Sequence, residues 1–140
     1  MPRPDPTANL YLPDVNALVA LGFVNHEFHE RVASWLRAQH FPPLATCSIT
    51  ELGFIRVLAQ APAYGLTIPQ ARTLLVRIKQ ANVPKFTFIP DDHDISRLPA
   101  WVKTPRQITG GHLVNLASAV GGTLATLDGK IPGGYLIPDR

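Results

Sequence analysis

NLYLPDVNALVAL, residues 9–21, predicts a buried strand that leads directly into a helix. The apolar run at 9–12 is ended by Pro13 and Asp14, and the helix is expected over Val15–Leu21, with Gly22 near its end. A short apolar run bounded by turn residues is typical of a strand that is covered on both faces.

Short apolar runs and helical patterns continue to alternate along the chain. Further strands are predicted over residues 44–47, 86–89, 123–127 and 135–137. Further helices are predicted over residues 26–39, from Ser48 to before Pro62, from about Pro69, and from Thr109 or Gly110 to Gly121. Such alternation is typical of βαβ units, whose right-handed crossovers place helices on both faces of a parallel sheet. We therefore predict an α/β fold with three layers, α/β/α, and a parallel sheet of roughly five strands.

Length and composition indicate one globular domain. The chain has 140 residues, of which 46% are hydrophobic and 16% charged, so we expect a single domain over residues 1–140 with its core at about 9–137. No apolar run reaches the ~20 residues that span a bilayer, and the N-terminus lacks the apolar stretch of a signal peptide. The lone cysteine, Cys47, is expected to be buried. We expect a cytoplasmic protein with no membrane partner, and the net charge of +3 permits a nucleic-acid partner.

Three acidic residues lie near the ends of predicted strands. Asp14 follows the first strand, Glu51 lies in the first turn of the helix after the second, and Asp128 follows the fourth. Ligands of open α/β sheets bind beyond the carboxyl ends of the strands, where the strand order reverses. If the order is 3-2-1-4-5, Asp14 and Asp128 face each other there and Glu51 can reach in from the side. Clustered carboxylates favour Mg²⁺ or Mn²⁺, which could activate water at a phosphodiester.

Each acid also has a purely structural explanation. Asp14 could cap the helix that follows it. Ser48-Ile49-Thr50-Glu51 fits the capping-box pattern, and Asp128-Gly129 is a common turn dipeptide. These explanations account for the residue types but not for their shared location.

A receiver-like signalling domain, which also gathers acids at strand ends, fits the pattern less well. It needs an acidic pair after the first strand and a phosphoacceptor Asp after the third. Here Asp14 stands alone after the first strand, and the pair Asp91-Asp92 follows the third. The chain also lacks the glycine motifs that bind phosphate and the H-E-x-x-H arrangement of a zinc site.

Four stretches resemble the motifs of PIN-domain toxins of the VapC kind, and they occur in the family's order. They are LPDVNAL at 12–18, SITELGFIR at 48–56, QITGGHLVNLA at 107–117 and GGTLATLD at 121–128. The resemblance covers nearly the whole chain. It implies a PIN fold and an endoribonuclease that acts as the toxin of a toxin–antitoxin pair.

The resemblance also assigns roles to particular residues. Asp14 and Asp128 are expected to bind Mg²⁺ or Mn²⁺, and Glu51 is expected to be a further catalytic acid. Asn16 and Thr126 are expected to be supporting polar groups.

Partners follow from the same resemblance. It implies an RNA substrate, a VapB-like antitoxin that blocks the site, and a homodimer. Arg56 is expected to neutralise phosphate, to meet the antitoxin or simply to be solvated.

Gly110 departs from the family's pattern, which usually has Asp directly after the position of Thr109. Losing one charged ligand should lower the affinity for a metal ion. His112 is not an obvious replacement, because it lies further along the helix and imidazole suits Mg²⁺ poorly. The alternative hypothesis is therefore a catalytically dead PIN-fold module, its Gly110 natural or introduced, that binds antitoxin or RNA without cleaving it. The remaining acids near a strand end are expected to be exposed in a loop: Asp91, Asp92 and Asp94.

Overall fold

The computed structural model describes residues 10–139, which form five strands and five α-helices. The strands are β1 (Tyr11–Pro13), β2 (Leu44–Thr46), β3 (Phe86–Phe88), β4 (Thr123–Thr126) and β5 (Tyr135–Leu136). The helices are α1 (Val15–Gly22), α2 (His29–Ala38), α3 (Ser48–Gln60), α4 (Ile68–Gln80) and α5 (Ile108–Ala119). Every predicted strand and helix is present, with bounds that differ by a few residues. Asn9, which the first strand was predicted to include, lies outside the described residues.

The strands form one parallel sheet in the order β3-β2-β1-β4-β5. β1 pairs with β4 in a register that sets Pro13 opposite Ala125. The condition on which the meeting of Asp14 and Asp128 depended is therefore met: β1 and β4 are neighbours, and the direction of chain progression reverses between them. Their carboxyl ends meet at the same edge of the sheet, which is where such folds bind ligands.

Helices cover both faces of the sheet, as the three-layer prediction requires. One buried cluster joins the sheet to α5, a second joins it to α1 and α2, and a third joins α1 to α3 and α4. Members of the first cluster include Leu12, Leu113, Leu116 and Leu124. Members of the second include Val32, Trp35, Leu44 and Ala125, and members of the third include Leu18, Phe54, Leu58 and Leu75. Cys47 is buried as predicted.

α2 begins at His29, three residues later than its sequence pattern predicts. Turns occupy the residues before it, and the amide of His26 donates to the carbonyl of Phe23 at 2.9 Å. The amide of Phe28 donates to Nδ1 of His26 at 3.0 Å. Because this side chain satisfies the Phe28 amide, the helix starts only after it, and His26 lies in a turn.

The described helices are all too short or too polar to cross a lipid bilayer.

Candidate active site

Asp14 and Asp128 come together at the carboxyl ends of the two central strands. Asp14 follows β1, and its amide donates to the carbonyl of Ala125 at 2.9 Å. Thr126, the last residue of β4, donates from Oγ1 to Oδ2 of Asp14 at 2.6 Å. The same hydroxyl oxygen accepts from the amide of Asp128 at 3.0 Å. One buried threonine therefore links the two loops that carry the acids.

The Asp14 carboxylate is half-buried and also caps α1. Its Oδ1 accepts from the amide of Ala17 at 2.9 Å, so its structural explanation holds alongside any role in a site. Burial raises the pKa of Asp14 above its ordinary value, and the negative charge of Asp128 adds to the rise, while the hydrogen bonds from Thr126 and Ala17 oppose it. The fold thus holds a poorly solvated negative charge here, which a bound cation would stabilise.

An open cleft of about 600 Å³ lies in front of these residues, and we call it the acid cleft. Asp14, Asn16 and Asp128 line it on the side of the sheet. Arg106, from the short 3-10 helix before α5, and Lys130 line it as well. Carboxylates and cations in one cleft suit a phosphate that is bound partly through a metal ion and partly by basic side chains.

Gly110 lies in the wall of the acid cleft, in the first turn of α5. A Cβ atom added at this position would lie 3.3 Å from Cδ1 of Ile131. This contact is tight, but it involves the end of a flexible side chain, which can move by a few tenths of an ångström. The position where the family usually has Asp therefore faces the same cleft as Asp14 and Asp128.

Glu51 lies apart from this pair. Its Oε2 accepts from Oγ1 of Thr46 at 2.6 Å and forms an ion pair with Nζ of Lys79. It lines a separate groove between α3 and α4, which shares no lining residue with the acid cleft. The capping role suggested for Glu51 is wrong, because α3 is capped by Cys47, whose amide donates to Oγ1 of Thr50 at 3.0 Å.

No three His, Cys, Asp or Glu side chains within residues 10–139 are grouped closely enough to hold one metal ion. The structure therefore unites two of the three predicted acids, Asp14 and Asp128, and leaves Glu51 paired elsewhere.

Arg56 also lies away from the acid cleft, in the groove between α3 and α4, which measures about 720 Å³. Exposed apolar side chains dominate this α3–α4 groove: Leu52, Ile68 and Val76 are 63%, 57% and 51% exposed. Arg72 lines the same groove, so two cations border an apolar surface.

His112 turns toward the loop after β3, as expected of a residue that does not replace the missing acid. Its Nε2 lies 2.6 Å from Oδ2 of Asp91. Asp91 is an exposed residue of this loop, as predicted, and Asp94 is exposed too, although pairing with His112 leaves the Asp91 side chain itself 20% exposed. Asp92 is 86% exposed, as predicted.

Sequence comparison places the chain among known proteins. It is 36% identical over 124 residues to Ribonuclease VapC38 of Mycobacterium tuberculosis, 35% identical over 126 residues to Ribonuclease VapC44 and 31% identical over 124 residues to Ribonuclease VapC39 of the same species. Each alignment covers 86% of this chain and 86–89% of the relative. The chain belongs to the VapC family of PIN-domain proteins. No family model matches it.

Three cations near the acids of this VapC chain lie outside the four motifs: Lys79, Arg106 and Lys130. Arg106 directly precedes the third motif and Lys130 follows the fourth by two residues, and neither position indicates from the sequence that the side chain lies at the site. For Lys79, the sequence does contain such an indication. It continues the i+4 series of the buried residues Ala71 and Leu75, so helical periodicity places its charge at the edge of the core.

Proposed function

We propose that this VapC chain is a metal-dependent endoribonuclease that acts as the toxin of a toxin–antitoxin pair. The observation that carries the proposal is the Thr126 hydroxyl, which links Oδ2 of Asp14 to the amide of Asp128 at the acid cleft. Relatives named as ribonucleases align over 86% of the chain, which supports an activity on RNA. Arg106 and Lys130 suit the phosphates of such a substrate.

The donors at the acid cleft fit a hard divalent ion. Asp14 and Asp128 offer carboxylate oxygens, the ligands that Mg²⁺ and Mn²⁺ favour, and the partly buried charge of Asp14 would be stabilised by a cation. We propose that these two residues hold the ion. When bound, it would polarise the phosphodiester and make a water molecule more acidic.

The protein's own groups would fix the geometry of the reaction. The Thr126 hydroxyl and the Ala17 amide each bind a different oxygen of Asp14, so that this carboxylate has one orientation. Arg106 and Lys130 would bind phosphate oxygens and offset the negative charge of the acid pair. Substrate positioning by these groups is the part of catalysis that the chain supplies directly.

Glu51 is proposed as a further acid of the site. Thr46, which binds its carboxylate, ends β2, the strand beside β1, so Glu51 belongs to the same edge of the sheet as Asp14. We also propose that this chain binds the metal ion weakly. With Gly110 in place of Asp, the acid cleft has one carboxylate fewer than the family pattern.

The α3–α4 groove is proposed as a docking surface for the antitoxin. Its apolar floor and the cations Arg56 and Arg72 would match an amphipathic segment that carries acidic side chains. Arg56 would then meet the antitoxin and not the RNA phosphate. The protein is proposed to act in the cytoplasm and to form a homodimer.

RNA cleavage in Mn²⁺ tests the enzymatic proposal. Labelled total RNA should be cut by the wild-type protein, and cutting should be lost on chelation and in Asp128→Asn. Asp92→Asn, which changes a remote exposed acid, should cut like the wild type. If neither the wild-type protein nor Gly110→Asp cuts RNA while both are folded, the enzymatic proposal is refuted.

A catalytically dead binding module is the second candidate. It is favoured by two observations: Gly110 offers no carboxylate to the acid cleft, and Glu51 is already paired with Lys79. The same assay separates the candidates. Cleavage by Gly110→Asp alone would indicate a module that lost its activity through position 110.

A further inference from the structure

The Asp14–Asp128 pair has a second opening beside the acid cleft. A crevice of about 340 Å³ shares Asp14, Asn16 and Asp128 with that cleft and is otherwise lined by His26, Glu27, Phe28 and Leu127. We call it the Phe28 crevice. Its volume is at the lower end of the range of about 300–1,000 Å³ for small-molecule sites, so it can accept one planar group but not a folded element.

The turn that forms its outer wall is held in place before any ligand arrives. The Phe28 amide donates to Nδ1 of His26 at 3.0 Å, and the His26 ring stacks on Tyr64 with an angle of 7° between the ring planes. The guanidinium carbon of Arg31 lies 5.9 Å from the centre of the Phe28 ring. Phe28 remains 38% exposed, so an aromatic ring is fixed at the rim with surface still available for contact. A preorganised wall reduces the entropy that a ligand loses on binding.

Charge distinguishes the two openings. The acid cleft contains Arg106 and Lys130, whereas the Phe28 crevice adds Glu27 to the acid pair and has no Lys or Arg among its lining residues within 10–139. Arg31, which lies against the Phe28 ring, is engaged outside the crevice by the Ile137 carbonyl and by Asp139. A phosphate group would be repelled from the crevice and attracted to the cleft. The crevice therefore suits an uncharged planar group attached to a phosphate that lies at the acid pair.

We propose that the Phe28 crevice binds a nucleobase of a single-stranded RNA segment whose adjoining phosphate lies at Asp14 and Asp128, and that it prefers a base with an exocyclic amino group. This inference rests on the proposed RNA substrate. Bases of single strands bind proteins by stacking on aromatic side chains. Glu27 can only accept hydrogen bonds when ionised, so it favours the amino group of cytosine over the carbonyl of uracil at the same ring position.

Binding of hexacytidylate and hexauridylate tests the proposal. Fluorescence anisotropy would be measured with Ca²⁺ as the divalent ion, and gels would verify that the oligonucleotides stay intact. The wild-type protein should bind hexacytidylate more tightly than hexauridylate. Phe28→Leu should weaken binding by about 5- to 150-fold, the range expected for losing one base–aromatic stack, and Phe28→Trp should retain it.

A control variant and a second test variant make the experiment specific. Phe41 is 42% exposed and lies three residues before β2, at the opposite edge of the sheet from the acid pair, so Phe41→Leu should bind like the wild type. Glu27→Gln should reduce the preference for cytosine, because an amide can also donate to the uracil carbonyl.

Several results would overturn the proposal. They are equal losses in Phe28→Leu and Phe41→Leu, no measurable oligonucleotide binding by the wild-type protein, or a Phe28→Leu effect on antitoxin binding alone, which would assign the crevice to a protein partner. Failure of the proposed ribonuclease function would give a different result from failure of the proposed base site. If no RNA is cut but binding still depends on Phe28, the base site stands and the hydrolytic activity does not.

Discussion

Lys79 of α4 forms an ion pair with Glu51 of α3, and the Thr46 hydroxyl binds the same carboxylate oxygen. The acid that sequence similarity assigns to the catalytic site is therefore already neutralised by a side chain 28 residues away. Both side chains are partly exposed, at 30% for Lys79 and 24% for Glu51, so the pair can exchange with a competing cation.

Lys79→Gln should strengthen Mn²⁺ binding, because Glu51 would no longer have a competing cation. Partly exposed ion pairs contribute about 0.2–1 kcal/mol, so the gain should be up to about five-fold, measured by calorimetric titration at low ionic strength. Arg77→Gln removes the same charge from an exposed position of α4 and is the matched control. Equal changes in both variants would mean that Glu51 contributes nothing to the ion site.

Gly110→Asp should increase the rise in melting temperature that Mn²⁺ produces, because a ligand that binds only the folded state stabilises it by mass action. Without metal, the variant should lose a small amount of stability, on the order of 1 kcal/mol, as Ile131 moves away from the new Cβ atom. Gly110→Asn has the same shape without the charge and should respond to Mn²⁺ like the wild type. Identical responses of the Asp and Asn variants would show that position 110 is not a ligand position.

Thr126→Val should destabilise the protein by about 1–3 kcal/mol, because it removes the partner of the Asp128 amide and of Oδ2 of Asp14 while keeping the shape of a buried side chain. RNA cleavage should fall as well, since both acid-bearing loops lose their common anchor. Urea unfolding and the cleavage assay measure the two effects. Thr126→Ser keeps the hydroxyl and should preserve activity; if it fails as badly as Thr126→Val, the hydroxyl is not the cause.

Asp14→Asn should abolish cleavage and yet stabilise the folded protein near pH 7 in the absence of divalent ions. Burial raises the pKa of Asp14, so its ionised form is less favourable in the folded state than in the unfolded state. Ionised Asp14 therefore lowers the free energy of unfolding of the wild-type protein. This destabilisation is absent below the ordinary pKa of 3.8 and grows as the pH rises through the raised pKa of the folded state. The advantage of the variant should therefore be present at pH 7 and disappear toward pH 4 in thermal melts.

Asp92→Asn is the control for this pH dependence, since its side chain is 86% exposed. A stability of Asp14→Asn that stays below the wild-type value across this pH range would contradict the explanation, and would indicate that capping of α1 matters more than desolvation.

The sheet and its acid pair could be predicted because both follow from local patterns. Each strand is a short apolar run between turn residues, and strand order places Asp14 and Asp128 at neighbouring strand ends whatever their side chains contact. The position of Gly110 in the cleft wall followed from the motif match in the same way.

The remaining features depend on contacts between distant segments. The direction of Glu51 is decided by Lys79, which no motif includes. The Phe28 crevice is formed by a turn, because the His26 side chain binds the Phe28 amide and α2 starts three residues later than its pattern predicts. Periodicity predicts which face a residue occupies, but it does not predict which of several nearby partners a charged side chain selects.

The hydrogen bond from the Thr126 hydroxyl to the Asp14 carboxylate joins residues that are 112 positions apart in the sequence. It forms only where β4 lies against β1. A nascent chain that has left the ribosome only as far as α5 contains β1, β2 and β3 but neither β4 nor Asp128. An interrupted translation product therefore carries half of the acid pair and no complete hydrolytic centre. If the proposed toxin activity is right, a cell is exposed to it only after nearly the whole polypeptide has been made.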